Sequence, residues 1–336
     1  MTLPPHGAAR LPGVTVDAYN AELRDGTGFA GDRASRGAFR SILEHWRERL
    51  RRAGEDPLGD RATEDIGRHR LEQALLHGDA AAAGLVLTAV EEFAQELARV
   101  CRRLLALDAW QGTQRIAVGG GFRASRLGEL AIGRADVLLK AELGVELRPI
   151  HHDPDQAGLI GAAGLVPQDV AGRPVLGVDV GGSKIRVGLV TGSGPDAQAL
   201  DTEVWRHAEE KAGRDRAVQR LAEMLQAMMR RTSGKGRPPA PFIGIGCPGL
   251  IRPDGAIERG GQNLPGDWEA PDFRLPERLA AMLPEMDGCR PVVVLHNDAV
   301  AQGLSERPWM QDVPKWGIVT IGTGLGNARF TTRAGD

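Results

Sequence analysis

An acidic residue at the end of an apolar strand is the clearest chemical feature of the sequence. Residues 292–299 read Val-Val-Val-Leu-His-Asn-Asp-Ala, which predicts a buried strand at 291–295 and, after it, a helix that begins at Asn297 and Asp298. Ligands of α/β proteins bind at that edge of the sheet. Asp298 could therefore take a proton from a substrate hydroxyl. Capping of the following helix by Asn297 or Asp298 explains the same residues.

A second acidic residue, Asp179, precedes a glycine-rich turn. Strands are predicted at 175–180 and 185–191, with the turn between them. Glycines let backbone N–H groups approach a phosphate closely, and Asp179 can hold Mg²⁺ through water. The turn residues are Gly181, Gly182, Ser183 and Lys184. A plain hairpin with a Gly-Gly turn remains the alternative.

Two further strands run into glycine turns. The strand at 316–321 is followed by Gly322, Thr323 and Gly324, a turn that could cradle a second phosphate or simply close a hairpin. The strand that begins at Ile116 is followed by Gly120 and Gly121 ahead of a helix, which suits the approach of a nucleotide to a helix N-terminus.

The stretch Gly244–Gly249 fits a GxGxxG count but is not read as a dinucleotide site. Pro248 interrupts it, and no helix pattern follows. Downstream, Asn263 carries a side-chain amide that can both donate to and accept from a sugar hydroxyl. Its alternative reading is a turn residue.

The length and the order of the elements predict two domains of α/β class. The chain has 336 residues, and strands interleaved with helices predict α/β architecture. One helix is predicted at about 208–231. Another is predicted at 153–165, with Asp153 as its cap and Pro154 in its first turn.

Composition excludes several classes of protein. With 42 basic and 44 acidic residues the net charge is −2, which argues against a nucleic-acid binder. No apolar run approaches the ~20 residues of a membrane helix, and no signal core is seen at the start. Three widely spaced cysteines without a CxxC pair favour a cytoplasmic protein with neither disulfides nor a zinc knuckle.

Five segments in order over 175–328 resemble the ROK family of sugar kinases and repressors: DVGGSK, GIGCPG, GGQNLPGDW, HNDAVAQG and GTGLGN. The family belongs to the actin/hexokinase-like (ribonuclease H-like) ATPase superfamily. The resemblance implies two lobes around a cleft that holds ATP and Mg²⁺, and a sugar hydroxyl that attacks the γ-phosphate. The expected lobes are 1–150 with 315–336, which carries the adenosine loop, and 151–314, which carries the first phosphate loop and the catalytic Asp.

The order of the remaining segments resembles a circularly permuted member of this family. IAVGGGFRASRL at 116–127 and DQAGLIGAAGLV at 155–166 are similar to segments that follow the second phosphate loop in the family. GFAGDRASRGAF at 28–39 resembles the segment after its zinc knuckle. The linker at 166–174 would join the old C-terminal helix to the old first strand, a joint that compact domains tolerate.

The resemblance implies a role for each matched residue. Asp298 would be the general base, and Asn297 and Asn263 would hold sugar hydroxyls. Asp179 would support Mg²⁺. The phosphate and nucleotide contacts would come from Gly181, Gly182, Ser183, Lys184, Gly322, Thr323, Gly324, Gly120 and Gly121. A homodimer is implied by the family alone.

The sequence departs from the family in three places. The cysteine zinc knuckle is absent, so no structural zinc is expected. The Glu-x-Gly-His sugar clamp should fall at the cut between Asp336 and Met1, with His6 as a candidate remnant. Asn327 and Ala328 replace further glycines. The sequence therefore predicts an ATP-dependent sugar kinase, with a non-catalytic sugar- or nucleotide-sensing protein as the alternative.

Two other readings are weaker or structural. A repressor is disfavoured because residues 1–34 show no helix-turn-helix and no basic patch. The permutation could also be only apparent, with the cleft completed by a second copy of the chain.

Overall fold

The fold is described from a computed structural model that covers residues 5–25, 28–167, 170 and 172–333, without the side chains of 25 and 28–30. The chain divides into two compact units. Unit 1 consists of Met1–Asn20, His151–Ile318 and Gly326–Asp336, and unit 2 of Ala21–Ile150 and Val319–Leu325. Each unit is described by itself.

The described residues form nine helices and fifteen strands. The helices are α1 (Arg36–Arg52), α2 (Arg68–His77), α3 (Ala80–Leu105), α4 (Arg126–Leu143), α5 (Pro154–Ala163), α6 (His207–Glu210), α7 (Arg214–Gly234), α8 (Leu275–Met282) and α9 (Asp298–Glu306). The strands are β1 (Arg10–Leu11), β2 (Val14–Tyr19), β3 (Arg24–Asp25), β4 (Gly28–Phe29), β5 (Arg115–Gly119), β6 (Glu146–Pro149), β7 (Val175–Val180), β8 (Ile185–Thr191), β9 (Gln198–Trp205), β10 (Phe242–Cys247), β11 (Leu250–Ile251), β12 (Ile257–Arg259), β13 (Val292–Asn297), β14 (Lys315–Ile321) and β15 (Leu325–Thr332). The predicted mixed α/β class is confirmed.

A five-stranded sheet forms the centre of unit 1. Its order is β13-β10-β7-β8-β9. Strands β7, β8 and β9 follow one another as antiparallel neighbours, whereas β10 pairs in parallel with both β7 and β13. Parallel pairs need long crossovers, and the chain between β10 and β13 supplies one that contains α8. The carboxyl ends of β7, β10 and β13 therefore lie along one side of the sheet, which we call its parallel edge.

Glycines let the helices of unit 1 approach this sheet closely. A methyl group built on Gly244 of β10 would lie 1.8 Å from the carbonyl oxygen of Ala162 in α5. One on Gly161 of α5 would lie 1.5 Å from the carbonyl oxygen of Ala301 in α9. Since real Cβ atoms do not come that close to backbone, these positions accept only glycine. Backbone contact replaces side-chain packing where α5, α9 and the sheet meet.

A second group of strands completes unit 1. β1 pairs with β2, and β2 pairs with β15, both antiparallel. The segment before β1 runs beside β13, where the N–H of Gly7 donates to the carbonyl of Leu295 at 3.0 Å. The N-terminal residues of the chain are therefore part of unit 1 and not an extension of unit 2.

Unit 2 is mainly helical around the parallel pair β5 and β6. Its core contains three aromatic rings, of Phe39, Phe93 and Phe122, with centroids 4.7–5.8 Å apart. Ser35 caps α1, because its hydroxyl accepts from the N–H of Ala38 at 3.1 Å. Helix packing of this kind buries most of the apolar surface of the unit.

Of two helices predicted in unit 1, one forms as a single helix and the other is divided into two. The helix predicted at 153–165 is α5, capped by Asp153 with Pro154 in its first turn, and it ends at Ala163. The helix predicted at about 208–231 is two helices, α6 and α7. Lys211 interrupts it in the left-handed conformation (φ 48°), which breaks the helical hydrogen bonds. The apolar period alone did not reveal that break.

The units divide the chain differently from the predicted lobes. Residues 1–20, 315–318 and 326–336 group with 151–314 instead of with 21–150. The reason is pairing: β1 and β2 form hydrogen bonds to β15, and residues 6–8 bond to β13. In the predicted linker at 166–174, residues 168, 169 and 171 lie outside the described part of the chain.

Candidate active site

Asp298 is the first residue of α9 and directly follows β13. The side chain of Asn297 caps this helix, because its Oδ1 accepts from the N–H groups of Ala299 (2.9 Å) and Val300 (3.3 Å). Its Nδ2 donates to the carbonyl of Gly249 at 3.0 Å. Asn297 therefore has one remaining N–H donor, and its 2% exposure limits what that donor can reach. The side-chain cap of α9 is thus Asn297, and the carboxylate of Asp298 also faces the backbone N–H groups of Asp298 and Ala299 at the helix start.

The protein environment makes Asp298 a stronger base than an ordinary aspartate. Burial raises the pKa of Asp298 to about 7, and the nearby charge of Asp179 adds to the increase. Backbone N–H groups at the helix start lower the pKa in part. A base with a pKa near neutral pH can accept a proton in the transition state and still be ionised beforehand.

Asp179 lies near the end of β7, two strands away from Asp298. Its Oδ2 accepts a hydrogen bond from Nη1 of Arg186 at 2.7 Å, across the antiparallel pair of β7 and β8. Arg186 also donates to Asp155 at the start of α5. The guanidinium thus holds Asp179 by one oxygen and leaves Oδ1 for other partners.

Two glycines leave room beside the two acidic residues. Gly246 of β10 is in register with Asp179 on β7, and a methyl group on it would lie 2.9 Å from Cβ of Ala301 in α9, the helix that begins at Asp298. Gly158 of α5 faces the carboxyl carbon of Asp179, which a methyl group there would approach to 2.7 Å. Between the two acidic strands, burial and both carboxylates raise the pKa of the Cys247 thiol, so it stays protonated.

The turn after Asp179 is a tight hairpin, closed by a hydrogen bond from the N–H of Gly181 to the carbonyl of Lys184 (2.9 Å). Neither Gly181 nor Gly182 has a positive φ, so bending the backbone does not require glycine there. Glycine is required at position 182 because Asn263 lies close to it: a methyl group on Gly182 would lie 2.9 Å from Cβ of Asn263. The turn is therefore a hairpin, and the same turn is the candidate phosphate-binding loop.

Asn263 is exposed next to that turn. Its amide makes no hydrogen bond within the described part of the chain, so it is available to a ligand. Unit 1 thus brings together Asp298, Asp179, the turn 181–184 and Asn263 around the parallel edge of the sheet. Ser183 and Lys184 are half-buried in this turn.

The other predicted nucleotide residues meet within unit 2. Gly120 has φ 82°, and a methyl group on it would lie 2.4 Å from the carbonyl oxygen of Ile321. The N–H of Phe122 donates to the same carbonyl at 3.4 Å. The turn at 322–324 is closed by the N–H of Gly322, which donates to the carbonyl of Gly324 at 2.9 Å, and Thr323 at its tip is exposed. Gly121 is exposed, with open space around it.

His6 lies against β13 at Leu295. Its Nδ1 accepts from the N–H of Leu295 at 3.1 Å, and its ring packs beside Gly255. Burial lowers the pKa of His6. One ring nitrogen is therefore used in unit 1, and the role of His6 as a remnant of the sugar clamp stays a prediction.

A magnesium site at Asp179 agrees with the donors present. Across residues 5–25, 28–167, 170 and 172–333, no cluster of three or more His, Cys, Asp or Glu side chains could hold a metal ion. Mg²⁺ in phosphoryl-transfer sites is held by one or two carboxylates, water and substrate phosphates. The free Oδ1 of Asp179 fits such water-mediated support.

Comparisons with known proteins point to sugar kinases. No protein-family model matches the chain. A glucokinase from Thermotoga maritima is 31% identical over 159 residues, which are 47% of this chain and 44% of the glucokinase. The chain thus spans less than half of the length of that relative.

Solved structures with similar segments include two ROK proteins. The ROK hexokinase from Thermus thermophilus is 26% identical over 46% of this chain and 45% of its own, with a TM-score of 0.31. The ROK glucokinase from Streptomyces griseus, solved with glucose and AMPPNP, is 24% identical over 48% and 47%, with a TM-score of 0.33. The chain is similar to the ROK sugar kinases.

This similarity agrees with the resemblance that the five motifs predict. The sheet of unit 1, with three consecutive antiparallel strands and two parallel ones, fits the predicted actin/hexokinase-like fold. The circular permutation stays a prediction. No helix among the described residues has an apolar stretch long enough to cross a bilayer.

The sequence analysis of this chain did not identify three residues near the site. Arg186 donates to the carboxylate of Asp179, Gly158 leaves room for that carboxylate, and Gly246 leaves room for α9 next to Asp298. Arg186 stands inside a predicted strand, where its charge was the available signal: an arginine between apolar neighbours on a buried strand needs an acidic partner. The two glycines carry no such signal, because their role depends on which element packs opposite.

Proposed function

We propose that this protein is an ATP-dependent sugar kinase, in which Asp298 is the general base. The observation that carries the proposal is the carboxylate of Asp298, with a pKa of about 7, at the parallel edge of the sheet beside Asp179 and its glycine turn. Asp298 would accept the proton of a sugar hydroxyl as that oxygen bonds to the γ-phosphorus of ATP. The bond from phosphorus to the β,γ-bridging oxygen breaks, and ADP leaves.

The other residues of unit 1 would bind and orient. Asn263, exposed beside Gly182, would donate to and accept from sugar hydroxyls. The backbone of Gly181, Gly182 and Ser183 would meet a phosphate, with Lys184 adding charge. Asn297 would act mainly by fixing the start of α9, because its side chain is already used as the cap.

Asp179 would support Mg²⁺ through its free oxygen and a water molecule. Mg²⁺, when bound, supplies positive charge that offsets the charge of the phosphates. Arg186 would keep the Asp179 carboxylate in one orientation. In unit 2, Gly322, Thr323 and Gly324 would meet a second phosphate group, and Gly120 and Gly121 would flank the adenosine.

The proposal includes the circular permutation. A linear comparison with a relative of ordinary order stops at a permutation joint, and the glucokinase match covers 47% of this chain. Helix α5 precedes β7 in the chain and packs against it, so the two elements are neighbours in space. A short connection between neighbours of this kind is what a permutation needs.

Several expectations stay predictions. The homodimer follows from the resemblance alone. The cytoplasmic location and the lack of a zinc knuckle follow from the composition.

A coupled ADP-release assay over a panel of hexoses and hexose derivatives tests the proposal. We expect sugar-dependent release of ADP with at least one of them, and release at background level from the Asp298→Asn variant. ATP binding measured by calorimetry, without turnover of any sugar, would contradict the kinase and support the sensing alternative. A chain that neither binds ATP nor phosphorylates any sugar would contradict both the kinase and the sensing alternative.

A further inference from the structure

Unit 1 contains a second cavity, at the opposite end of β7 from Asp179. It has a volume of about 720 Å³, and its walls include Val175 at the start of β7 and Val190 near the end of β8. Ile160 of α5 and Leu304 of α9 complete an apolar floor. A cavity of this size matches those that enclose small organic ligands.

The cavity is separate from the candidate active site. Helix α9 runs between the two, with Asp298 at its start and Leu304 near its end. At 1.5 Å per residue, α9 rises roughly 9 Å from Asp298 to Leu304. A small ligand in the cavity would therefore not touch Asp298 or Asp179.

The polar part of the cavity lining is positively charged. Arg173, Arg307 and Arg333 contribute to the wall, and no Asp or Glu is among the described residues that line it. Arg173 forms an ion pair with Asp287 at 2.5 Å, which offsets its charge. Arg333 donates to the carbonyl of Leu11 at 3.1 Å. Among these three arginines, Arg307 is therefore the best placed to contact an anion in the cavity.

Arg307 is half-buried without a carboxylate partner in the described part of the chain. Its Nη1 donates to the backbone carbonyl of Pro12 at 2.7 Å, and its stem packs on Gly13. Burial lowers the pKa of Arg307, which reflects lost hydration of the cation. A guanidinium that has lost water and gained only a neutral acceptor binds an anion favourably.

We propose that this cavity, defined by Val175, Val190, Leu304 and Arg307, is a binding site for a small organic anion with an apolar body. The anionic group, a carboxylate, sulfonate or phosphate ester, would contact Arg307. The apolar body would lie on the floor between α5, α9 and the sheet. This inference does not depend on the proposed kinase activity.

Fluorescence titration with a matched pair of probes tests the site. The anionic probe is 8-anilinonaphthalene-1-sulfonate, and N-phenyl-1-naphthylamine has the same rings without the charge. The whole chain is titrated without nucleotide, and variants of the cavity lining locate the binding, so the test does not require ATP to bind at the candidate active site. We expect saturable binding of the sulfonate at one site per chain, and binding of the neutral probe about tenfold weaker.

A matched pair of variants locates the binding. Ser193 lines the cavity and is exposed on the turn after β8, so substitutions there leave the core unchanged. Ser193→Glu adds a negative charge and should weaken sulfonate binding several-fold relative to Ser193→Gln, which has a similar size. Arg307→Gln should weaken it about tenfold, whereas Arg278→Gln, on exposed α8 surface, should not.

Three results would overturn the proposal. The first is absence of saturable sulfonate binding to the wild-type chain. The second is equal affinity for the charged and neutral probes. The third is sulfonate binding unchanged in both Ser193→Glu and Arg307→Gln, which would place the anion elsewhere. If Arg307→Gln does not fold by circular dichroism, the probe pair and the Ser193 pair still decide.

Discussion

The guanidinium of Arg186 donates to Oδ2 of Asp179 at 2.7 Å, so the carboxylate proposed to support Mg²⁺ is held by one oxygen. The same guanidinium forms an ion pair with Asp155, whose side chain is 69% exposed, whereas that of Asp179 is 16% exposed. The inner ion pair is the one that matters for the site, because exposed pairs contribute little.

Arg186→Gln should therefore lower kcat about tenfold or more and raise the Mg²⁺ concentration needed for half-maximal rate. Loss of the guanidinium leaves the half-buried Asp179 without its donor and free to rotate. Arg186→Lys should recover part of the rate. Asp155→Asn, the matched control, removes only the exposed partner and should change kcat less than twofold. A similar decrease of kcat in Arg186→Gln and Asp155→Asn would show that Arg186 does not act through Asp179 alone.

Asp298→Asn should lower kcat by about 10²–10⁴-fold, the range that a general base contributes. Asparagine has nearly the same shape and keeps the start of α9, which Asn297 caps. ATP binding by calorimetry and the circular dichroism spectrum should stay as in the wild type. A variant with full kcat would show that another group accepts the proton.

The raised pKa of Asp298 predicts how stability depends on pH. Its carboxyl has a pKa of about 7 in the folded chain against 3.8 when unperturbed, so the folded state binds more protons between these values. The free energy of unfolding from this group then falls as pH rises from about 4 to 7. A shift of this size corresponds to about 2–4 kcal/mol.

Asp298→Asn removes this pH-dependent cost. Without nucleotide, the variant should be more stable than the wild type at pH 8 by about 2 kcal/mol, with the difference vanishing near pH 4. Urea denaturation at several pH values, followed by circular dichroism, measures it. A difference that is the same at pH 4 and pH 8 would show that Asp298 titrates normally.

Gly120 and Gly121 form a natural control pair in unit 2. Gly120→Ala forces a side chain into φ 82° and against the Ile321 backbone, so it should distort the turn and weaken ATP binding about tenfold or more. Gly121→Ala meets open space and should leave ATP affinity within about twofold. Calorimetric titration of both variants provides the comparison. Equal losses would mean that the turn does not contact the nucleotide through Gly120.

Gly161 tests the close contact of α5 with α9. A methyl group there would lie 1.5 Å from the Ala301 carbonyl oxygen, so Gly161→Ala should lower the free energy of unfolding by about 3 kcal/mol or more. Gly84→Ala places the same methyl in open space on exposed α3 and should raise it by about 0.5–1 kcal/mol. Denaturant titration of the two variants checks the opposite signs.

The sequence by itself determined the local elements and most of the chemically important residues. The apolar runs before Asp179 and Asp298 predict buried strands and the positions of their ends, because the pattern of apolar residues along the chain is a local property. The cap at Asp153 is equally local, because it depends on a side chain two positions from its donor.

Tertiary structure decided what those residues do together. Strand pairing placed residues 1–20 with 151–318, because β2 binds β15 across more than three hundred residues of chain. Packing of α5 and α9 on the sheet gave Asp298 its raised pKa, and cross-strand register brought Arg186 to Asp179. Burial, register and close approach are properties of elements that meet in space, so no spacing along the chain encodes them directly.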